Sequence, residues 1–173
     1  MRLHLLLVLL LAHTIASAQQ PDQRIRQRVQ WFIYKAPTEW FGDNREAIIH
    51  KLGSPSHISF TLNPNSQDTL VADSVFTFAY DSARFVVYAA TRPPHEFLIE
   101  ASASGSRYLR RSPLPLGTPM HKARAYFADS SRAPTSTLVY SCNWCDDPIP
   151  GSSVALWFRS GRLVGLKWEY KID

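Results

Sequence analysis

Two strand-like runs, Val75 to Tyr80 and Arg84 to Ala90, stand on either side of Asp81-Ser82-Ala83, and a second pair, Val154 to Phe158 and Leu163 to Trp168, flanks Arg159-Ser160-Gly161. Turns this short join antiparallel strands, so each pair is predicted to be a hairpin. Further strand signals surround them. Ile58, Phe60 and Leu62 alternate with polar residues until Asn63-Pro64-Asn65 breaks the run. Glu96 to Ser102 and Thr137 to Cys142 read as strands, and Glu169 to Ile172 extends the last one.

Helical spacing precedes each group of strands. Ile25, Val29, Phe32 and Ile33 share one face of a helix that Ala36-Pro37-Thr38 is expected to end. Asp43 with Glu46 has the form of a capping box before Ala47, Ile48, Ile49 and Leu52, and Gly53 and Pro55 are stop signals. In the second half Thr118 is the expected N-cap, with Pro119 at the first helical position, before Met120, Ala123, Ala125, Tyr126 and Phe127. Gly42 and Gly117 are 75 residues apart, and Arg84-Phe85-Val86 and Arg162-Leu163-Val164 are 78 apart, which suggests a tandem unit. The expected division is a signal peptide (1–18), an N-terminal helix (19–36), a first repeat (37–106), a connector (107–115) and a second repeat (116–173). The fold class is α+β, with short helices on one face of an antiparallel sheet whose other face is open and concave. The alternative is a single cystatin-like or NTF2-like domain, and a second equivalent helix over 116–127 discriminates the two.

Arg2 and His4 form a short basic start to an apolar run, Leu3 to Leu11, and Ala16-Ser17-Ala18 offers small residues for cleavage before Gln19. That is the form of a secretory leader, and the run is shorter than the roughly 20 residues a membrane span needs. The expected product is a 155-residue periplasmic or extracellular protein, large enough for one domain with a real core. The chain carries a net charge of +5, mildly basic rather than polycationic, and nucleic acid is not an expected partner. In an oxidising compartment the only two cysteines, Cys142 and Cys145, read as a disulfide that clips a loop. A thiol–disulfide redox role is the alternative; the neighbouring Asp146, Asp147 and Pro148 oppose it, because carboxylates disfavour a thiolate.

The leader, the short helix leaving through Leu52-Gly53-Ser54-Pro55 and the antiparallel hairpin after it resemble the small outer-membrane lipoprotein domain called SmpA/OmlA or BamE-like. The doubling resembles the tandem architecture of the secreted beta-lactamase inhibitor proteins. The resemblance implies a binding module without catalysis, and it carries over no particular contact residue.

The search for chemistry points the same way. His50, His57, His95 and His121 are scattered without metal-ligand spacing, so neither metal nor cofactor is expected. Glu46 and His50 share a helix face as a solvated pair, Ser104-Gly105-Ser106 lacks the full nucleophile elbow, and Asp146-Asp147 lacks a calcium-ligand series. Two surfaces remain. Arg107, Arg110 and Arg111 around Tyr108 form a basic cluster suited to anionic envelope components or an acidic protein face. Tyr140, Trp144, Trp168 and Tyr170 form the expected partner surface, since tryptophan and tyrosine bury much area with few rotatable bonds. The expected function is therefore an exported, non-catalytic protein-binding module, inhibitory or envelope-assembly related. A thiol–disulfide protein and a small-ligand carrier in the helix–sheet cleft are the alternatives.

Overall fold

The computed structural model describes residues 23–65, 68, 70–141 and 151–171. The leader, Cys142, Trp144 and Cys145 lie outside them. Seven antiparallel strands form one continuous sheet: β1 (His57–Pro64), β2 (Ala72–Tyr80), β3 (Ala83–Thr91), β4 (Pro94–Ala103), β5 (Thr137–Ser141), β6 (Ser153–Arg159) and β7 (Arg162–Glu169). Their order across the sheet is β1-β2-β3-β4-β7-β6-β5, two meanders joined where Ala101 of β4 faces Trp168 of β7. Helix α1 (23–30), a π-helical turn (Trp31–Lys35), α2 (Ala36–Phe41), α3 (Arg45–Leu52) and α4 (Met120–Tyr126) complete the α+β fold. A helix, α4, lies within 116–127, and among the described residues four strands follow α3 and three follow α4. Both predicted hairpins form, and the strands run slightly longer than their apolar cores.

The N-terminal helix does not end at Ala36-Pro37-Thr38. It continues through the π-helical turn into α2, with Pro37 in the first turn of α2, where a missing N–H is tolerated. The Ala36 N–H donates to the Trp31 carbonyl, five residues back, which leaves the Phe32 carbonyl without its usual helical donor. Pro37 cannot supply Ile33 either. Two aromatic side chains of the C-terminal segment take these acceptors: Trp168 Nε1 donates to Phe32 O at 2.9 Å, and the Tyr170 hydroxyl donates to Ile33 O at 2.8 Å.

This corrects the expectation that Trp168 and Tyr170 belong to a partner surface. Trp168 is fully buried, facing Ala101 on one side and Val154 on the other, and its ring lies 5.7–6.0 Å from those of Phe32, Trp40 and Phe41. Burial raises the Tyr170 hydroxyl pKa far above the usual tyrosine range. Trp168 belongs to the core and Tyr140 and Tyr170 pack against it, because the α1–α2 run lies across the sheet and contributes Val29, Phe32, Ile33, Trp40 and Phe41. As alternation predicts, Phe158 is in the core while Trp157 lies half-buried on the opposite face.

Two capping assignments also change. Asn44, not Asp43, caps α3: its side-chain oxygen accepts the Ala47 N–H at 2.9 Å, while Asp43 accepts from the Asn44 amide. Pro119 occupies the N-cap position of α4, and the Thr118 hydroxyl donates instead to Pro115 O at 2.6 Å.

Candidate functional site

On the helix-facing side of the sheet the cover stops short of β1. The pairing places Ile58 opposite Phe78, Phe60 opposite Phe76 and Leu62 opposite Ser74, so all three apolar side chains of β1 share the face whose centre is the core. Phe78 lies beneath the helices and is buried; Phe60 and Leu62 are 61% and 63% exposed. Every residue of β1 is exposed. The strand stands at the end of the sheet, no described strand pairs with its outer backbone edge, and it contains no Lys, Arg, Asp or Glu among its eight residues.

A groove of about 970 Å³ opens beside it, with Ile58, Phe76 and Phe78 on the sheet side and Ile49 and the start of α3 on the other. The wall is held by electrostatics that begin with the Asn44 cap. Capping fixes Arg45 in the first turn of α3, its guanidinium lies 4.1 Å over the Phe76 ring, and its Nε donates to Glu96 Oε1 at 2.7 Å. The Arg45 backbone N–H donates to the other Glu96 oxygen at 3.1 Å. These bonds hold the Glu96 carboxyl below its ordinary pKa, the Arg45 side chain being the larger cause. Asp43 and Glu46 also line the groove, exposed to solvent.

Behind the far end of β1, Asp73 ties three segments together. Its carboxylate accepts the Tyr88 hydroxyl, the Thr91 N–H at 2.8 Å and the Asn65 amide at 3.0 Å, and the Tyr88 bond is the first cause of its lowered pKa. Both carboxyls are therefore more acidic in the folded state. Their stabilisation is complete above an unfolded pKa of about 4 and is lost as pH falls through the lower folded values. Denaturant midpoints measured from pH 7 down to pH 3 should fall steeply below pH 4, and Asp73→Asn should flatten that slope while lowering the midpoint at pH 7.

The other predicted site residues are dispersed. Tyr140 stacks on Phe127 at 3.9 Å and donates to Asp129 Oδ2 at 3.0 Å; burial is the first cause of its raised pKa, so it braces the loop after α4 instead of offering a free face. Arg107, Arg110 and Arg111 lie together with Lys51 and His50 on a second, smaller cavity. Ser104-Gly105-Ser106 lies in the turn after β4, where the Gly105 carbonyl accepts the Tyr108 N–H. Among the described residues no group of three His, Cys, Asp or Glu side chains is placed to hold a metal ion, and no helix is long and apolar enough to cross a membrane. Sequence reasoning found β1 but not its exposure. The available signal was the absence of Lys, Arg, Asp and Glu from His57 to Pro64, since protected edge strands commonly carry a charged side chain. Comparison with protein-family models, curated proteins and solved structures finds no match.

Proposed function

We propose that this chain is an exported, non-catalytic module that binds another protein by taking up an extended segment along β1. The leader-like segment Met1–Ala18 supports export, and the resemblance to the SmpA/OmlA family supports a binding role over a catalytic one. One observation carries the reading: an eight-residue edge strand without Lys, Arg, Asp or Glu and exposed throughout, with Ile58, Phe60 and Leu62 on one side and an outer backbone edge that no described strand pairs. Strand addition uses such an edge. Backbone hydrogen bonds supply affinity, and alternate side chains supply specificity. The occupant is an extended segment with apolar side chains at alternate positions, which continue the Ile58–Phe60–Leu62 face, and a basic side chain that reaches Asp43 and Glu46 at the groove. The opposite edge strand, β5, has five residues, one of them buried and two half-buried, and offers less.

Phe60→Lys tests this. The side chain is 61% exposed, so stability should change by no more than about 0.5 kcal/mol. Partner affinity should fall at least about tenfold, equivalent to roughly 1.4 kcal/mol. A photo-crosslinking residue at position 60, with one at the exposed Val139 as control, identifies the occupant. A discrete heterologous adduct at 60 alone is expected. A self-adduct would reassign the edge to a second copy of the chain, and identical adducts at both positions would sink the reading.

A further inference from the structure

The second cavity, about 500 Å³, lies between the α2–α3 helices and the segment that follows β4. Its walls carry His50 and Lys51 from α3 and Arg107, Arg110 and Arg111 from the connector, and no carboxylate lines it. Four fixed positive charges facing one cavity repel one another unless an anion joins them. Their placement is built in. Successive turns, closed by Tyr108 N–H to Gly105 O at 3.1 Å, Leu109 N–H to Ser106 O at 3.2 Å and Ser112 N–H to Leu109 O at 3.1 Å, bury Tyr108 and Leu109. The same turns leave Arg107, Arg110 and Arg111 exposed. Arg107 is held over the Tyr108 ring at 4.5 Å, and Lys51 Nζ is fixed by the Thr38 and Glu39 carbonyls at 3.1 and 2.9 Å. Arg110 and Arg111 are both exposed and both line the cavity, so two guanidinium forks border the space a ligand would occupy.

From this geometry we infer a second binding site, distinct from the β1 groove, for a phosphate-bearing ligand of at least two negative charges. Guanidinium forks match the paired oxygens of a phosphate, and a flanking ammonium adds charge without demanding geometry. The cavity is in the size range of small-ligand sites. None of the exposed large apolar side chains among the described residues (Ile49, Ile58, Phe60, Leu62, Leu70 and Val139) lines it, so they give the site no anchor for insertion into a bilayer, which favours a soluble phosphate ester over a lipid headgroup.

Calorimetric titration of the full folded chain with inorganic pyrophosphate should show saturable one-site binding. The Arg110→Ala/Arg111→Ala pair should weaken it at least tenfold without moving the thermal midpoint, and Arg159→Ala, at the end of β6 and not among the residues that line the cavity, should leave it unchanged. Sedimentation with anionic phospholipid vesicles separates the two sources of phosphate. Vesicle binding that needs the arginine pair, without pyrophosphate binding, assigns the site to a headgroup. Pyrophosphate binding that needs the pair assigns it to a soluble ester. Binding to neither probe, or binding that Arg159→Ala weakens as much as the pair does, overturns the inference.

Discussion

Replacing Trp168 by alanine should cost about 4 kcal/mol, a large share of the 5–15 kcal/mol that holds a domain of this size together. The side chain is fully buried, its ring meets Phe32, Trp40 and Phe41 edge-on or tilted, and its indole N–H satisfies the Phe32 carbonyl. Truncation opens a cavity between α1–α2 and the β4–β7 seam and leaves that carbonyl buried without a donor. Urea unfolding, followed by tryptophan fluorescence and circular dichroism, measures the loss. Phe at the same position should recover most of the packing and none of the hydrogen bond, so it should fall between Ala and Trp. A Trp168→Ala protein of unchanged midpoint would mean that Trp168 is not a core residue.

The second large effect is expected at Gly42, between α2 and α3. Its φ is +105°, and a Cβ built there would sit 2.8 Å from both the carbonyl carbon and the Cβ of Ala47 and 2.9 Å from the Ile48 nitrogen. Backbone strain and a clash with backbone atoms that cannot rotate away add together, so Gly42→Ala should lose about 3 kcal/mol or more. Gly53→Ala is the informative companion. Gly53 also has a positive φ, +83°, but nothing lies within 4 Å of the added carbon, so it should lose only about 1 kcal/mol, from conformation alone. The difference between their urea midpoints isolates the clash. Because Gly42 sets the approach of α3, and Arg45 closes the groove from the first turn of that helix, Gly42→Ala should also loosen the β1 site, visible as faster amide exchange along α3.

Most of the strand and helix positions are legible in the sequence. Two-residue periodicity across short turns determined the hairpins around Asp81-Ser82 and Ser160-Gly161, because alternation and turn length are local properties. Helical spacing determined the apolar face Val29–Phe32–Ile33 and the position of α3, for the same reason. Helix termini were less legible. Asn44 prevailed over Asp43 as cap through the geometry of one residue, and Pro37, a stop signal by sequence, stands inside a longer helical run in which distant side chains supply donors to the carbonyls that it and the π-helical turn leave open.

Aromatic residues were the hardest to assign. Alternation placed Trp168 on one strand face but could not say which face the helices cover, since covering depends on how far α1 and α2 run across the sheet. That choice was made by contacts more than 130 positions apart in the chain, Trp168 with Phe32 and Tyr170 with Ile33. The same packing decided the opposite outcome for Ile58, Phe60 and Leu62. Their pattern is that of a strand with one buried face, and they stay exposed because no helix among the described residues extends over β1. The sequence by itself thus determined the strands, the hairpins and the basic triplet Arg107, Arg110 and Arg111, all set by interactions between near neighbours. Which apolar face became core, which became an open edge, and that the triplet meets Lys51 and His50 across a cavity were decided only in three dimensions, because burial belongs to the whole packed chain and not to any segment of it.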